Sequence, residues 1–253
     1  MYIIFVKKRR IIKNLIKVGE KMRIRYKKWA RPELEASKFY IDNPEEWKGK
    51  WKEFFENSEK PIHLELGCGK GQFISNLASN NLNINYIAID LVDAMLGLAK
   101  RNVEQVYKEK NIEPNNIALT RFDIERILMI LEEKDNIERI YINFCNPWPK
   151  GKHRKKRLTH TRQLEKYKQF LNENGEVYFK TDDDDLFNSS LLYFEESGFE
   201  LVSKTYDLHN EPIFKNNIET EHEKMFSEQG IKIKALIAKR QLGQSKSVSG
   251  KQV

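Results

Sequence analysis

The stretch His63-Leu64-Glu65-Leu66-Gly67-Cys68-Gly69-Lys70-Gly71 runs from a hydrophobic strand into a Gly-x-Gly-x-Gly turn. Glycines are needed in such a turn because the backbone must bend sharply and approach a ligand without an intervening Cβ atom. A dinucleotide site normally reads Gly-x-Gly-x-x-Gly. Here the third glycine comes one residue earlier, and an acidic residue, Glu65, precedes the turn. The stretch predicts a cofactor loop at the carboxyl end of a first strand.

Strand and helix signals alternate along the chain from this stretch onward. Short apolar runs predict strands at Ile62–Leu66, Tyr86–Asp90, Ile117–Arg121, Arg139–Asn143, Glu176–Lys180, Glu200–Thr205 and Ile231–Ala238. Segments of helical length lie between the first five, at Gln72–Ser79, Val92–Lys110, Ile124–Glu133 and Leu158–Leu171. Such alternation predicts right-handed βαβ units. The expected fold is α/β and Rossmann-like, with a seven-stranded, mainly parallel sheet and helices on both faces.

The two ends of the chain differ in composition from its middle. We interpret residues 1–21 as translated leader sequence or a basic arm, 22–57 as an N-terminal arm, 58–240 as the main domain and 241–253 as a disordered tail. The leader hypothesis rests on Gly19-Glu20, which can be encoded by a purine-rich ribosome-binding sequence just before an ATG for Met22. Within the arm, residues 45–55 predict a short amphipathic helix whose aromatic side chains pack into the core.

The distribution of charge and the number of cysteines limit the kinds of partner, metal site and location that we expect. The net charge is +8, but residues 1–21 hold seven Lys/Arg against one Glu and so account for +6 of it. The local run Lys150–Arg157 is more informative, since six of its eight residues are cationic. Two cysteines form neither a disulfide framework nor a zinc spacing, so we expect no metal and a cytoplasmic location. No apolar run approaches the ~20 residues that a membrane span requires.

Acidic residues follow the second and third predicted strands. Asp90 ends Ile87–Asp90, and Asp123 follows the strand Ile117–Arg121. S-adenosylmethionine carries a sulfonium and an ammonium and no phosphate, so an acidic flank suits it. Asp90 is placed to accept both ribose hydroxyls, and Asp123 to lie near the adenine. Two alternatives remain: such acids often cap the next helix, and the glycine pattern alone also fits a nucleotide-dependent oxidoreductase.

The segment Asn143–Arg157 joins an aromatic, proline-stiffened loop to the basic run. It reads Asn143-Phe144-Cys145-Asn146-Pro147-Trp148-Pro149-Lys150, and the remaining cations follow at once. Trp148 offers a flat face for base stacking, worth ~1–3 kcal/mol per base. Lys and Arg beside it suit phosphate contacts. The segment therefore indicates a nucleic-acid substrate, with packing of Trp148 against the sheet as the alternative.

These motifs together resemble the bacterial tRNA (guanine-N7)-methyltransferase family, a class I, S-adenosylmethionine-dependent family. The matching text includes ARPELE at Ala30–Glu35, LELGCGKG, the Asn146–Leu158 loop, KTD at Lys180–Asp182 and TEHE at Thr220–Glu223. The resemblance implies methylation of the variable-loop guanine, position 46, in tRNA by a monomer or homodimer. It implies cofactor contacts at Glu65, Gly67, Asp90, Asp123 and Asn146, substrate contacts at Lys150, Asp182, Thr220, Glu221, His222 and Glu223, and RNA contacts at Lys152, His153, Arg154, Lys155, Lys156 and Arg157.

Asn146 departs from the family pattern, which has Asp there as the proposed catalytic residue. Guanine N7 carries a lone pair and no proton, so methyl transfer needs positioning rather than a general base. Methylation leaves the base cationic, and a carboxylate would stabilise that developing charge. Asn146 cannot supply the charge, although its carbonyl oxygen can accept a hydrogen bond. We expect activity, with charge stabilisation from Asp182 or Glu223.

Two further readings stay open on the sequence. Asn146-Pro147-Trp148 resembles the Asn-Pro-Pro-aromatic motif of enzymes that methylate exocyclic amino groups such as adenine N6. The second alternative is a non-catalytic RNA-binding homologue that retains an inactive cofactor pocket. The basic loop favours guanine N7 over the first, and the glycine turn with its two strand-end acids argues against the second.

Overall fold

The computed structural model describes residues 25–214 and 216–241. The predicted leader at residues 1–21 and residues 242–253 of the predicted tail lie outside this range. Within it, every helix is too short or too polar to span a bilayer.

Within residues 25–214 and 216–241 eight strands form one sheet, so the predicted Rossmann-like α/β class is confirmed with one strand more than expected. The strands are β1 (Tyr40–Ile41), β2 (Ile62–Leu66), β3 (Asn85–Asp90), β4 (Ile117–Arg121), β5 (Ile137–Asn143), β6 (Leu171–Thr181), β7 (Phe199–Thr205) and β8 (Lys234–Arg240). Their order is β1-β4-β3-β2-β5-β6-β8-β7. Strands β1 to β6 pair in parallel, and β8 pairs antiparallel with both β6 and β7.

Seven α-helices accompany the sheet in the described part of the chain. They are α1 (Ala30–Glu35), α2 (Trp51–Phe54), α3 (Gln72–Asn80), α4 (Asp93–Glu109), α5 (Thr161–Tyr167), α6 (Asp184–Glu196) and α7 (Glu221–Ser227). Two predicted helices are shorter than expected. The segment after β4 forms 3₁₀ turns at Ile124–Met129, and α5 begins only where the His160 side chain accepts from the Arg162 amide. The predicted last strand starts later because residues before Lys234 close a turn in which the Ile231 amide bonds to the Phe226 carbonyl.

Side chains alternate between two cores, one on each face of the sheet. In β2, Ile62, Leu64 and Leu66 belong to the core that also contains residues of α2, α5 and α6. Tyr86 and Ala88 of β3 belong to the other core, beneath α1, α3 and α4. The two-residue period of a strand therefore places His63 and Glu65 on the α3 face. This alternation brings the buried Glu65 carboxylate to the face of the sheet that α3 covers.

The N-terminal arm packs into these cores. Its strand β1, for which the sequence gives no signal, pairs with β4, and the Thr120 hydroxyl donates to the Ile41 carbonyl over 2.8 Å. The predicted continuous helix over residues 45–55 is wrong. Gly49, at φ +74°, separates a 3₁₀ turn from α2. The predicted packing role is confirmed, because Trp51 is fully buried and its indole donates to the Ile130 carbonyl over 2.7 Å.

The strand order reverses beside β2. The chain proceeds outward from β2 through β3 to β4, and it then returns to add β5 on the other side of β2. Such a switch point leaves a crevice above the carboxyl ends of the central strands, where open α/β sheets bind ligands. The glycine turn after β2 and the Asn143–Arg157 segment after β5 both begin at this crevice.

Candidate functional site

The glycine turn is fixed to the neighbouring strand by its backbone. Gly67 and Cys68 both donate their amides to the Ile89 carbonyl, over 2.9 and 3.0 Å. Gly67 has φ +82°, and a Cβ placed on it would meet nothing within 4 Å. Gly71 also has a positive φ, but a Cβ there would lie 2.6 Å from the Ala99 Cβ. Gly67 thus leaves open space for a ligand, whereas Gly71 allows α3 to approach α4 closely.

Asp90 lies beside this turn. Its Oδ2 accepts from the Gly69 amide and its Oδ1 from the Val92 amide, each over 2.9 Å. Burial raises the pKa of Asp90, and the backbone amides oppose the rise. The carboxylate is thereby held in one orientation at the end of β3, with further lone pairs available to a ligand.

Glu65 is a buried acid at the end of β2. Its Oε1 accepts from the Asn143 amide nitrogen over 3.0 Å, while its Oε2 is buried and has no partner among the residues that the structure describes. Burial raises the pKa of Glu65 to about 7. A buried carboxylate oxygen without a donor is costly unless something pairs with it. This oxygen fits a cationic or N–H group of a bound cofactor.

Asp123 has a structural role of its own. It precedes the 3₁₀ turn after β4, and its Oδ1 accepts from the Glu125 amide over 2.9 Å. One carboxylate oxygen of Asp123 therefore caps the following turn, as the capping alternative predicts. Its other oxygen remains for a ligand at the same edge of the sheet.

The loop after β5 is bent by two non-glycine residues in the left-handed region. Phe144 has φ +50° and Trp148 has φ +44°. Between them, exposed Asn146 accepts from the Trp148 amide through its Oδ1 over 3.0 Å. Conformations of this kind are held only where the surroundings enforce them. Asn146 thus shapes the loop through its carbonyl oxygen.

The predicted stacking residue, Trp148, is half-buried and borders the basic run. Its ring centroid lies 5.7 Å from that of His153, and the Lys156 ammonium is 5.2 Å from it. The run itself forms a 3₁₀ turn, Gly151–Lys156. The exposed members are Lys150, Lys152, Arg154, Lys155 and Lys156, and His153 is half-buried.

Arg157 differs from the other predicted RNA contacts. Its side chain is fully buried. Its Nε donates to the Pro147 carbonyl over 2.7 Å, and its Nη2 binds Asp185 at the start of α6. The structure therefore removes Arg157 from the phosphate-facing set, because its guanidinium is bound within the protein and fixes the loop that contains Trp148.

The four consecutive aspartates after β6, Asp182–Asp185, have different surroundings. Asp183 caps α6 by accepting from the Leu186 amide over 2.6 Å, and Asp184 and Asp185 are exposed in its first turn. Asp182 is half-buried at the strand end, and burial raises its pKa. Lys234 donates to its backbone carbonyl over 2.8 Å, which fixes the backbone at this strand end.

Thr220 and Glu223 form a capping box at the start of α7. Glu223 is fully buried, and its carboxylate accepts from Lys180 and His209, each over 2.8 Å, and from Asn217. Glu221 and His222, between them in sequence, are exposed. Glu221 binds Lys70 of the glycine turn over 2.7 Å, and the His222 ring stacks on Phe144 with centroids 6.0 Å apart. The TEHE segment therefore contacts both the cofactor loop and the Asn143–Arg157 segment.

Three residues of the site carried no functional prediction: Lys180, Asn143 and Asn217. Lys180 and Asn143 lie within strands, where periodicity assigns them only to a face. Asn217 lies in an irregular segment after β7 and contacts residues more than thirty positions away. For Lys180 and Asn143 the sequence offers one signal of a role in the site: each lies at a strand end, on the same face of the sheet as Glu65.

His209, Glu219 and Glu223 place one ligand atom each within 4.8 Å of one another, which is the geometry a metal ion would need. Both Glu223 oxygens already accept hydrogen bonds, one of them from the Lys180 ammonium. A metal ion bound to Glu223 would lie close to the Lys180 ammonium and would be repelled by it. The donor set therefore fits an ion-pair network better than a metal site.

Comparison with known proteins agrees with this geometry. Residues 59–236 match the family model described as "Putative methyltransferase". The solved structure titled as that of an antibiotic-related methyltransferase superposes with a TM-score of 0.52 at 19% identity, covering 72% of this chain and 88% of that one. The 16S rRNA methyltransferase KamB gives 0.53 at 13% identity, with 72% and 89% covered. At these identities the likeness shows the fold alone.

Relatives of known name are far more similar. The tRNA (guanine-N(7)-)-methyltransferase of Clostridium beijerinckii is 63% identical, covering 86% of this chain and 98% of that protein. The protein of the same name from Clostridium botulinum strain Alaska E43 is 64% identical, and the match again covers 86% of this chain and 98% of that protein. That of Acetivibrio thermocellus is 54% identical, covering 87% of this chain and 100% of the relative. The chain belongs to the tRNA (guanine-N(7)-)-methyltransferase family.

Proposed function

We propose that this protein transfers a methyl group from S-adenosylmethionine to N7 of a guanine in the variable loop of tRNA. The observation that carries the proposal is the junction of two segments at one crevice. The glycine turn with Glu65 and Asp90 lies on one side of the switch point, and the Trp148 loop with its exposed cations lies on the other. The names of the relatives support the same substrate and atom.

Four elements would hold the cofactor. Gly67 leaves the space for close backbone approach, Asp90 offers carboxylate oxygens to the ribose hydroxyls, and the unpartnered Oε2 of Glu65 suits the ammonium of the methionine part. Asp123 would border the adenine. When bound, the cofactor supplies an electrophilic methyl group on its sulfonium.

The substrate side combines an aromatic surface with charge. Trp148 would stack against a base, and the exposed cations Lys150, Lys152, Arg154, Lys155 and Lys156 would contact phosphates on either side of it. Asp182 supports recognition of guanine, because a carboxylate accepts from the N1–H and N2–H₂ donors of a splayed-out base.

The protein's contribution to the reaction is positioning and electrostatics. N7 attacks through its own lone pair, so no side chain has to remove a proton. The fixed loop between Phe144 and Trp148 would hold the base in line with the methyl group. Positive charge moves from sulfur onto the guanine ring during transfer. The acidic crevice formed by Glu65, Asp90 and Asp182 favours a cation throughout, which compensates for the neutral Asn146.

Methylation of defined transcripts tests the proposal. Unmodified tRNA should accept one labelled methyl group, and a transcript with 7-deazaguanine at the variable-loop position should accept none, because carbon replaces N7 and the rest of the base is unchanged. Asp90→Ala should abolish transfer, and Asp184→Ala, at an exposed position on α6, should retain it. Label on an exocyclic amino group, or equal label on the 7-deazaguanine transcript, would reject the guanine-N7 assignment. Failure to bind S-adenosylmethionine would favour a non-catalytic RNA-binding protein.

A further inference from the structure

Lys180 is a buried lysine at the carboxyl end of β6. Its side chain is 7% exposed. The ammonium donates to Glu223 Oε2 and Asn217 Oδ1, each over 2.8 Å, and to the Ile218 carbonyl over 3.0 Å. A lysine ammonium has three donors, so all of them are used. Each acceptor belongs to the segment 217–223, which runs into α7.

The same lysine lies next to the cofactor side of the crevice. Glu65, Asn143 and Lys180 occupy neighbouring strands β2, β5 and β6. The register pairs Asn143 with Lys180 and Glu65 with Tyr141, so the three side chains share one face of the sheet. Asn143 bonds to Glu65, and the Lys180 ammonium is 5.1 Å from the centroid of Phe73 in α3. Lys180 therefore lies between the segment 217–223 and Glu65, the acid that we propose to contact the cofactor.

Glu223 has no free oxygen with which to read a base. Its Oε2 accepts from Lys180 and its Oε1 from His209 and Asn217, and its backbone amide is bound to Thr220. The exposed residues of the same turn are Glu221 and His222. Buried charges of this kind are stable only as a pair, and removal of one partner leaves the other uncompensated. The arrangement makes Glu223 an anchor for its exposed neighbours.

We propose that Lys180 is a positioning residue that docks the segment 217–223 onto the carboxyl edge of the sheet, so that Glu221 and His222 are held in register with the cofactor side. The inference rests on the proposed function for the identity of the substrate, and it adds a residue that acts through Glu223 and Asn217 rather than by touching the tRNA. Burial lowers the pKa of the Lys180 ammonium while Glu223 opposes that shift, which agrees with a charge held by its partner.

Hydrogen exchange and kinetics on the full chain test the proposal together. Lys180→Met keeps the length of the side chain and removes its charge and donors. We expect faster amide exchange over residues 216–227, a loss of kcat/KM for tRNA of about 100-fold, the size expected for displaced substrate-positioning groups, and a smaller loss of S-adenosylmethionine affinity by calorimetry. The double variant Lys180→Met/Glu223→Gln should be no worse than Lys180→Met, since both remove the same interaction.

Lys168→Met is the matched control. Lys168 also ties its segment to a distant carbonyl, that of Ser197 over 3.0 Å, but at the opposite edge of the sheet. It should leave exchange at residues 216–227 and activity on tRNA unchanged. If Lys180→Met does not fold, Asn217→Ala removes one acceptor of Lys180 and one donor to Glu223, keeps the ion pair between those two residues, and should show the same pattern in weaker form.

Unchanged exchange over residues 216–227 in a folded Lys180→Met protein would overturn the proposal. So would equal losses for tRNA and cofactor, which would indicate a general effect on the crevice. The exchange measurement needs no methyl transfer, so it remains decisive even if the wild-type protein modifies a base other than guanine.

Discussion

The Nε atom of Arg157 donates to the carbonyl oxygen of Pro147 over 2.7 Å, ten residues back along the chain. The same guanidinium binds Asp185, and its side chain is fully buried. The hydrogen bond closes the Trp148 loop onto the end of the basic run. The loop that contains Trp148 is therefore held by a residue that the sequence predicts to contact RNA.

Arg157→Met should destabilise the protein and impair catalysis. The substitution leaves the Pro147 carbonyl without its donor, which we expect to cost ~1–3 kcal/mol in the free energy of unfolding. It should also lower kcat, because Phe144 and Trp148 keep their left-handed conformations only while the loop is closed. Chemical denaturation and steady-state kinetics measure the two effects. Unchanged stability would show that the buried guanidinium is not what closes the loop.

Lys155→Ala is the complementary change in the same run. Lys155 is exposed, so its removal should leave stability unchanged and weaken tRNA binding. The slope of log K against log salt should become less steep by about 0.7–0.9 for each phosphate that the variant no longer neutralises. Binding titrations at several salt concentrations provide the slope. An unaltered slope would exclude Lys155 from the residues that bind phosphate.

Asn146→Asp should raise the rate of methyl transfer. The substitution keeps an oxygen for the Trp148 amide and adds a negative charge near the base that becomes cationic. We expect kcat to increase by about 3- to 10-fold, which corresponds to ~1 kcal/mol of barrier. Single-turnover kinetics with saturating tRNA separate this step from product release. A wild-type protein that is inactive under conditions where the variant works would refute the positioning account.

The affinity for S-adenosylmethionine should increase as pH rises through neutrality. Burial raises the pKa of Glu65 to about 7, so below that pH the residue is largely neutral and cannot pair with the cofactor ammonium. Cofactor binding should therefore release a proton. Calorimetry in buffers of different ionisation enthalpy detects that proton, and Glu65→Gln should bind weakly with no pH dependence across this range.

The same shift determines the sign of the effect on folding. An acid whose pKa is higher in the folded state binds more protons there, so the free energy of unfolding falls as pH rises from about 4.5 to about 7. Glu65→Gln lacks this loss and should melt at a higher temperature than the wild type above pH 7, measured without cofactor. A lower melting temperature would show that the carboxylate is paired within the free protein.

Two glycines of the cofactor turn should respond differently to alanine. At Gly71, φ +71° and a Cβ 2.6 Å from the Ala99 Cβ together predict a stability loss of ~2 kcal/mol or more. At Gly67, only the backbone conformation opposes a Cβ, so we expect about 1 kcal/mol of destabilisation. Gly67→Ala should nevertheless bind S-adenosylmethionine more weakly than Gly71→Ala. The reverse order of affinities would mean that Gly67 does not face the ligand.

Much of the fold is predictable from sequence because strand and helix signals are local. The strands β2 and β4 begin and end at the predicted residues, and β2 lies between Pro61 and Gly67, which mark its ends in the sequence. The strand β1 is not predictable in this way. It has two residues, and it exists because the Phe39 carbonyl and Ile41 contact β4 almost eighty positions later.

The residues of the site also differ in whether local sequence predicts them. Glu65 and Asp90 follow from their place at strand ends. The burial of Arg157 and the ion pair of Lys180 with Glu223 depend on contacts between distant segments, and composition alone assigns both cations to the surface. A charge pattern predicts where cations occur, and only packing decides which of them remain free for a partner.

The position of β8 also determines when the protein becomes complete during synthesis. Among the strands of the described residues it is the last to be synthesised, yet it lies between β6 and β7. Until it emerges, β7 has no strand with which to pair, and Lys234 cannot yet hold the Asp182 carbonyl. A chain that ends before Lys234 lacks the strand that joins β7 to β6, so we expect such truncated products to leave the sheet unfinished beside Asp182.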